Sequence, residues 1–328
     1  MDQSRDMRTS FFEHIAVVGA GAVGSFFGAM LARAGHRVTL IGRPAHVQAI
    51  ARHGLQLDLA HATAVEAIHL PATTDIATVR DADLVLLCVK STDTLATAHS
   101  MAPFLSPDTT LISLQNGVEN ASLIASALPN AILPSVVYVA TEITAPGYLK
   151  HHGRGELVTG TAAHTAAHIA QQTLARIVEL FASAQVPVRI SQDIMADLWS
   201  KLLINCVLNA ISALAQTSYG ELAKVNAIET TQVALLREVI AVARADGTDL
   251  NEAAAMHAVA AICKTMAGQK SSTAQDMARH KLSEIDHLNG FVMRRGQALG
   301  IPTPVNQAMY ALVKLVESTY PSSTRSRT

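Results

Sequence analysis

The chain has 328 residues, enough for two domains with cores of their own. Hydrophobic residues make up 49% and charged residues 16%, a balance that excludes a disordered chain. A formal net charge of −1 argues against a nucleic-acid surface or an acidic solvating tail. No continuous apolar run reaches the ~18 residues that crossing a membrane takes, and the opening MDQSRDMRTS lacks the apolar segment of a signal peptide. A cytoplasmic protein is the expectation. Cys88, Cys206 and Cys263 stand far apart in apolar or helical surroundings and read as reduced, buried thiols. The fourteen histidines show no ligand spacing, so no metal is expected.

Residues 1–12 and 321–328 read as loose ends. Between them the first half alternates short β-rich runs with helical ones. His14–Val18 reads as a strand, followed by Gly19-Ala-Gly-Ala-Val-Gly24 and a helix to about Ala34 that Gly35 closes. Arg37–Ile41 is a second strand. Asp83–Val89 and Thr109–Leu114 are continuous apolar runs of the kind found in parallel strands covered on both faces. Helices near 93–102 and 119–127, a β-rich piece over 132–160 that contains the turn Pro146-Gly147 and hairpin strands around 148–159, a helix over 163–183 and a strand over 186–190 complete this half. The alternation predicts a doubly wound α/β domain over 13–190.

Strand signals stop after Ser191. Helical patterns follow at about 192–214, 224–245, 252–268, 276–299 and 304–318. Gly247 closes one helix, Asp249-x-x-Glu252 reads as a capping box for the next, and Thr303-Pro304 supplies an N-cap and an N1 proline. Residues 191–320 are therefore predicted to form an all-helical second domain.

Gly19-x-Gly21-x-x-Gly24 lies directly after a strand and opens a helix. Small residues there permit a tight turn, close backbone approach to a pyrophosphate, and close helix–strand packing. The N–H groups at that helix start, around Ala22 and Val23, would face the anion. The first half is thus predicted to be a Rossmann-type dinucleotide-binding domain. A site for NAD usually has an acidic residue after the second strand; this chain has Arg43 and no carboxylate between Arg37 and Gln56. A guanidinium suits a 2′-phosphate by charge and bidentate geometry, so NADP is the expected cofactor. Lys90 and Asn116 sit just past the carboxyl ends of the next two strands, where open α/β sheets bind ligands.

Asp197, Lys201, Asn205 and Asn209 are spaced by four on a helical run without Pro or Gly, and Ser212 follows three later. They stack as one polar stripe on an otherwise apolar, buried helix. Such a stripe needs partners, either a core network of protein groups or a ligand. On a helix predicted over 282–299, Glu284 falls in line with Leu288 and Phe291 at the edge of the apolar stripe. Lys201 or a substrate hydroxyl is a candidate partner for it.

GAGAVG, Arg43, Val89-Lys90, Gln115-Asn-Gly117, Lys201-x-x-x-Asn205-x-x-x-Asn209, Ser271-Ser-x-x-Gln-Asp276 and Glu284-Ile-Asp-x-x-Asn-Gly290 occur in one order from residue 14 to about 306. In this the chain resembles ketopantoate reductase. The resemblance implies reduction of the 2-keto acid 2-dehydropantoate to pantoate with NADPH, on the route to pantothenate. It also implies that Lys201 is the catalytic lysine and general acid, and that Glu284 is the catalytic-site glutamate. Asn205 and Asn209 would be substrate-side asparagines, and Ser272 would hold the substrate carboxylate. Arg43, Lys90 and Asn116 would lie on the cofactor side, with Asn116 also at the substrate. A further family asparagine would fall on Tyr219, where the chain departs from the pattern. A reductase of another branched 2-keto acid and a non-catalytic NADP sensor are the rival readings. The oligomeric state is open, a homodimer included.

Overall fold

The structure is a computed structural model and describes residues 12–161 and 167–321. It divides into two compact units, one ending at Ile194 and the other starting at Met195. The first unit begins with β1 (Ile15–Val18), α1 (Ala22–Arg33), β2 (Val38–Ile41), α2 (Pro44–His53), β3 (Leu55–Asp58), β4 (Glu66–Ile68) and β5 (Ala72–Thr73). It continues with β6 (Leu84–Leu87), α3 (Thr94–Met101), β7 (Thr110–Ser113), α4 (Asn120–Ala127), β8 (Ile132–Ala145), β9 (Tyr148–Thr159), α5 (Ala167–Ser183) and β10 (Val188–Ile190). The strands lie in the order β4-β3-β9-β8-β7-β6-β1-β2-β5, with β10 added on β9.

The part that carries the glycine turn is parallel from β8 through β7, β6, β1 and β2 to β5. Its central strands β1, β2 and β6 have four residues each and are apolar but for Thr39, because both faces are covered. Ile15 and Val17 of β1 face a core shared with Phe27 of α1 and Phe181 of α5. Ala16 and Val18 face the opposite core, with Met101 of α3 and Ile124 of α4. That alternation is the period-two geometry of a strand between two helical layers. The sheet is mixed overall, because β8 and β9 form a long antiparallel hairpin and β3 with β4 adds a second antiparallel pair. Gly147 turns the hairpin with φ +76°, a conformation glycine adopts without strain.

The segment from 44 to 82, for which the sequence reading assigns no element, contains α2 and three of these strands. β4 has three residues and β5 two, too few to show a period. Phe12, placed in a loose end by the sequence reading, is buried beneath the guanidinium of Arg176, 4.2 Å from its ring centre. The rest of that end, residues 1–11, and most of the other, 322–328, lie outside the described residues, as does the predicted start of α5 at 163.

The second unit comprises α6 (Ile194–Ala215), whose first residue belongs to the first unit, α7 (Tyr219–Leu222), α8 (Asn226–Ala245), α9 (Glu252–Thr265), α10 (Ser272–Ala278), α11 (Asn289–Leu299) and α12 (Pro304–Ser318). By length and mean hydropathy alone α6 could cross a membrane, although Asp197, Lys201, Asn205 and Asn209 interrupt its apolar residues. Two-thirds of its most apolar window is buried in the protein, including a fully buried Trp199 that meets Phe291 of α11. That is the pattern of a core helix.

The predicted helix over 276–299 is broken in two. Two residues past the end of α10, His280 lies in the left-handed region at φ +52°. Ser283 then gives both its N–H (2.8 Å) and its hydroxyl (2.6 Å) to the buried carboxylate of Glu317 on α12, so a tertiary partner replaces the next helical turn. Two predicted caps also differ. Asn251, not Asp249, caps α9 by accepting from Ala254 N–H at 2.8 Å, while Asp249 pairs with Arg244. At α12 the Thr303 side chain makes no cap bond; the Glu238 carboxylate takes the N–H groups of Val305 and Asn306 instead, each at 2.9 Å.

Candidate functional site

β1 lies between β6 and β2, so the chain reverses direction across the sheet at β1 and β6, the position where open α/β sheets form a ligand crevice. The loop after β1 is held tightly. Gly19 has φ +101°, its N–H and that of Ala20 both reach the Ile41 carbonyl at 3.0 Å, and a Cβ on it would stand 2.5 Å from Val89 N. Gly24 packs against Val17 and Cys88. Gly42 of the loop after β2 approaches Ala20, where an added Cβ would stand 2.7 Å from the alanine's own.

Gly21 differs from these. It is exposed, its backbone is ordinary extended chain, and a Cβ on it would meet no protein atom within 4 Å. The N–H groups of Ala22, Val23 and Gly24 have no hydrogen-bond partner among the described residues, and no acidic side chain occupies the first turn of α1. A cradle over a helix N-terminus, with free donors and room kept by a missing side chain, fits a dinucleotide pyrophosphate. Arg43 is exposed at the carboxyl end of β2, next to that turn, and its carbonyl starts α2.

Lys90 and Asn116 follow β6 and β7, and a buried polar network that the sequence reading did not identify joins their loops. The hydroxyl of Ser91 donates to Asn116 O at 2.8 Å, and Asn120 Nδ2 donates to the same carbonyl at 2.6 Å. Thr94 Oγ1 donates to Asn120 Oδ1 at 2.8 Å. Gln115 Nε2 donates to Thr94 Oγ1 at 2.6 Å and to Val89 O at 3.1 Å, and its Oε1 accepts from Ser113. The presence of Thr94, Ser113 and Asn120 among apolar neighbours is the sequence signal that could have found it.

In the second unit the stripe on α6 passes from half-buried Asp197, Lys201 and Asn205 to buried Asn209 and Ser212. Its inner end is a protein network, the blander of the two readings: Ser212 Oγ donates to Thr217 O at 2.7 Å and accepts from Ser271 N at 3.2 Å. Its middle is not. Among the described residues the Asn205 side chain makes no hydrogen bond, and Asn209 has one side-chain bond, from the Tyr219 hydroxyl at 3.3 Å.

Ser271 caps α10, accepting from Ala274 N–H at 3.0 Å while donating to the backbone carbonyl of Asn209 at 3.1 Å. This brings exposed Ser272, the first residue of α10, beside the Asn209 turn. Glu284 is not on a helix face as the sequence reading has it. It is half-buried and precedes a short 3-10 turn, because Ser283 is tied to Glu317. The next residue, Ile285, packs with Ala210 and Ala213 of α6 and Ala274 of α10, which sets Glu284 near the same bundle end. Two cavities open elsewhere, of about 500 Å³ beside Gly147 and about 380 Å³ against Val207 and Cys263, and none of the candidate residues lines either.

Two family models cover the units in order: Ketopantoate reductase PanE/ApbA over residues 15–164, and its C-terminal counterpart over 193–317. The chain belongs to the ketopantoate reductase family. It is 31% identical to a 2-dehydropantoate 2-reductase of Vibrio cholerae over 94% of this chain and 99% of that one. A crystal structure of a PanE/ApbA family ketopantoate reductase from Ralstonia eutropha matches with a TM-score of 0.86 at 47% identity, over 94% of this chain and 99% of that one. D-mandelate dehydrogenase, solved with NADH and anilino(oxo)acetate, shares the fold with a TM-score of 0.87 at 24% identity, over 94% and 99%.

Proposed function

We propose that this protein reduces 2-dehydropantoate to pantoate with NADPH, Lys201 serving as general acid. The carrying observation is the α6 stripe: Lys201, Asn205 and Asn209 in one row on an apolar helix, with donor capacity on both amides that no described protein group takes up. Relatives of nearly the same length bear the name of that reaction.

The cradle of Gly21, Ala22, Val23 and Gly24 would hold the pyrophosphate, and Arg43 the 2′-phosphate, by charge-assisted hydrogen bonds. Lys90 and Asn116, fixed by the network beneath them, would border the nicotinamide. When bound, the reduced nicotinamide would supply the hydride for the ketone carbon, becoming NADP⁺. As negative charge grows on the ketone oxygen, Lys201 stabilises it and gives it a proton, which completes the alcohol. Asn205 and Asn209 orient the substrate through neutral hydrogen bonds, adding no charge to compete with the lysine. Ser272 binds the carboxylate, and Glu284 accepts from the hydroxyl end. A site that hydrogen-bonds a hydroxyl rejects analogues lacking it.

The test is loss of reduced-nicotinamide absorbance with 2-dehydropantoate and, separately, 2-oxoisovalerate, using each of NADPH and NADH. Faster oxidation with 2-dehydropantoate, and a kcat lowered by about 10²–10⁴ in Lys201→Ala, are expected. Arg43→Glu raises KM for NADPH more than for NADH. No turnover of 2-dehydropantoate by a folded, NADPH-binding wild type would sink the assignment.

A further inference from the structure

We propose that Tyr219 is a positioning residue that holds the Asn209 amide with its oxygen occupied and its nitrogen presented as a donor to an oxygen of the 2-keto acid. The inference rests on the reading of Asn209 as a substrate-side residue. Asn209 is 2% exposed. An untethered amide at such a place can turn about its last torsion and offer either oxygen or nitrogen. The carboxylate and ketone oxygens of a 2-keto acid accept and do not donate, while the hydroxyl of 2-dehydropantoate is assigned to Glu284, so toward those oxygens one orientation of the amide attracts and the other repels. The Tyr219 hydroxyl, donating to Oδ1 at 3.3 Å, selects the attractive one. No other hydrogen bond reaches this side chain among the described residues, which leaves both Nδ2 protons uncommitted.

The tether is anchored at both ends. Tyr219 N–H donates to Gln269 O and Gly220 N–H to Ala267 O, each at 2.9 Å, and Gly220 allows the close approach, since a Cβ there would come within 2.7 Å of Ala267 Cβ. On the other side Ser271 Oγ holds the Asn209 carbonyl, and Ser212 Oγ ties Thr217 to Ser271. Burial, with Cys263 nearby, pushes the Tyr219 phenol well above the ordinary tyrosine range, so it remains a donor at any working pH.

The experiment compares wild type, Tyr219→Phe, Asn209→Ala and the double variant, each as the full chain with NADPH and 2-dehydropantoate. Tyr219→Phe is expected to raise KM for the keto acid roughly three- to ten-fold, the scale of one net hydrogen bond, with KM for NADPH unchanged. In the Asn209→Ala background the same change should cost nothing more, because its target is gone. Equal penalties in both backgrounds, or no change in KM, would overturn the proposal. A second readout needs no turnover: the side-chain NH₂ signals of Asn209 in a ¹⁵N spectrum, identified by their loss in Asn209→Ala. They should shift toward those of a solvent-exposed amide in Tyr219→Phe, and unshifted signals rule the tether out. If wild type does not reduce 2-dehydropantoate, the proposed reaction fails, and these signals still decide whether Tyr219 sets the amide.

Discussion

A side chain on Gly24 would run into the carbonyl oxygen of Gly19, whereas one on Gly21 would touch no atom of the protein. The two positions belong to one motif and answer to different constraints, the first to the fold and the second to a ligand. Gly24→Ala is therefore expected to cost about 1–3 kcal/mol of stability by overpacking, seen as a lower melting temperature. Gly21→Ala should melt with wild type and yet lose NADPH affinity at least about ten-fold in a fluorescence titration. Equal melting of both variants would contradict the division.

Gln115 makes three side-chain hydrogen bonds, two of which, to Val89 O and Thr94 Oγ1, tie the segment after β6 to the loop after β7. Gln115→Leu removes them and strands Val89 O and the Ser113 hydroxyl in a buried place, a loss of about 1–3 kcal/mol. If the network serves to fix Lys90 and Asn116, NADPH Kd should also rise several-fold in the folded variant at low temperature. A melting shift with unchanged Kd would assign the network to stability alone.

The parts of the site that are legible in the sequence are local ones. A glycine turn between strand and helix needs six residues, and the α6 stripe needs only the helical period of one uninterrupted run, so both can be read from spacing. The contacts that complete the site join distant positions. Ser271 reaches Asn209 across 62 residues and Asn120 reaches Ser91 across 29, and no periodicity encodes such pairs. Glu284 shows the reverse error. Its neighbourhood has a helical pattern, yet the Glu317 carboxylate, 34 residues beyond Ser283, takes the N–H group that a helix would have used. Local propensity gave way there to a buried tertiary bond.

His46, in the first turn of α2, accepts the Gly147 N–H on Nδ1 at 2.9 Å, so its proton sits on Nε2 and is donated to Ser25 Oγ at 3.1 Å. A second proton would set Nδ1–H against the Gly147 N–H, and burial adds to the penalty by lowering the pKa below the ordinary 6.5. The unfolded chain then binds more protons than the folded one between the folded-state value and 6.5. Stability is thus fully present above that upper limit and falls as the pH drops toward the folded-state value. His46→Gln keeps a polar side chain that cannot titrate. Melting temperatures of wild type and variant, taken across mildly acidic pH, should draw together on acidification, because only the wild type loses the His46 contribution. Parallel curves would show that the histidine takes up its proton alike in the folded and unfolded chain, the hairpin turn giving way to accommodate the charge.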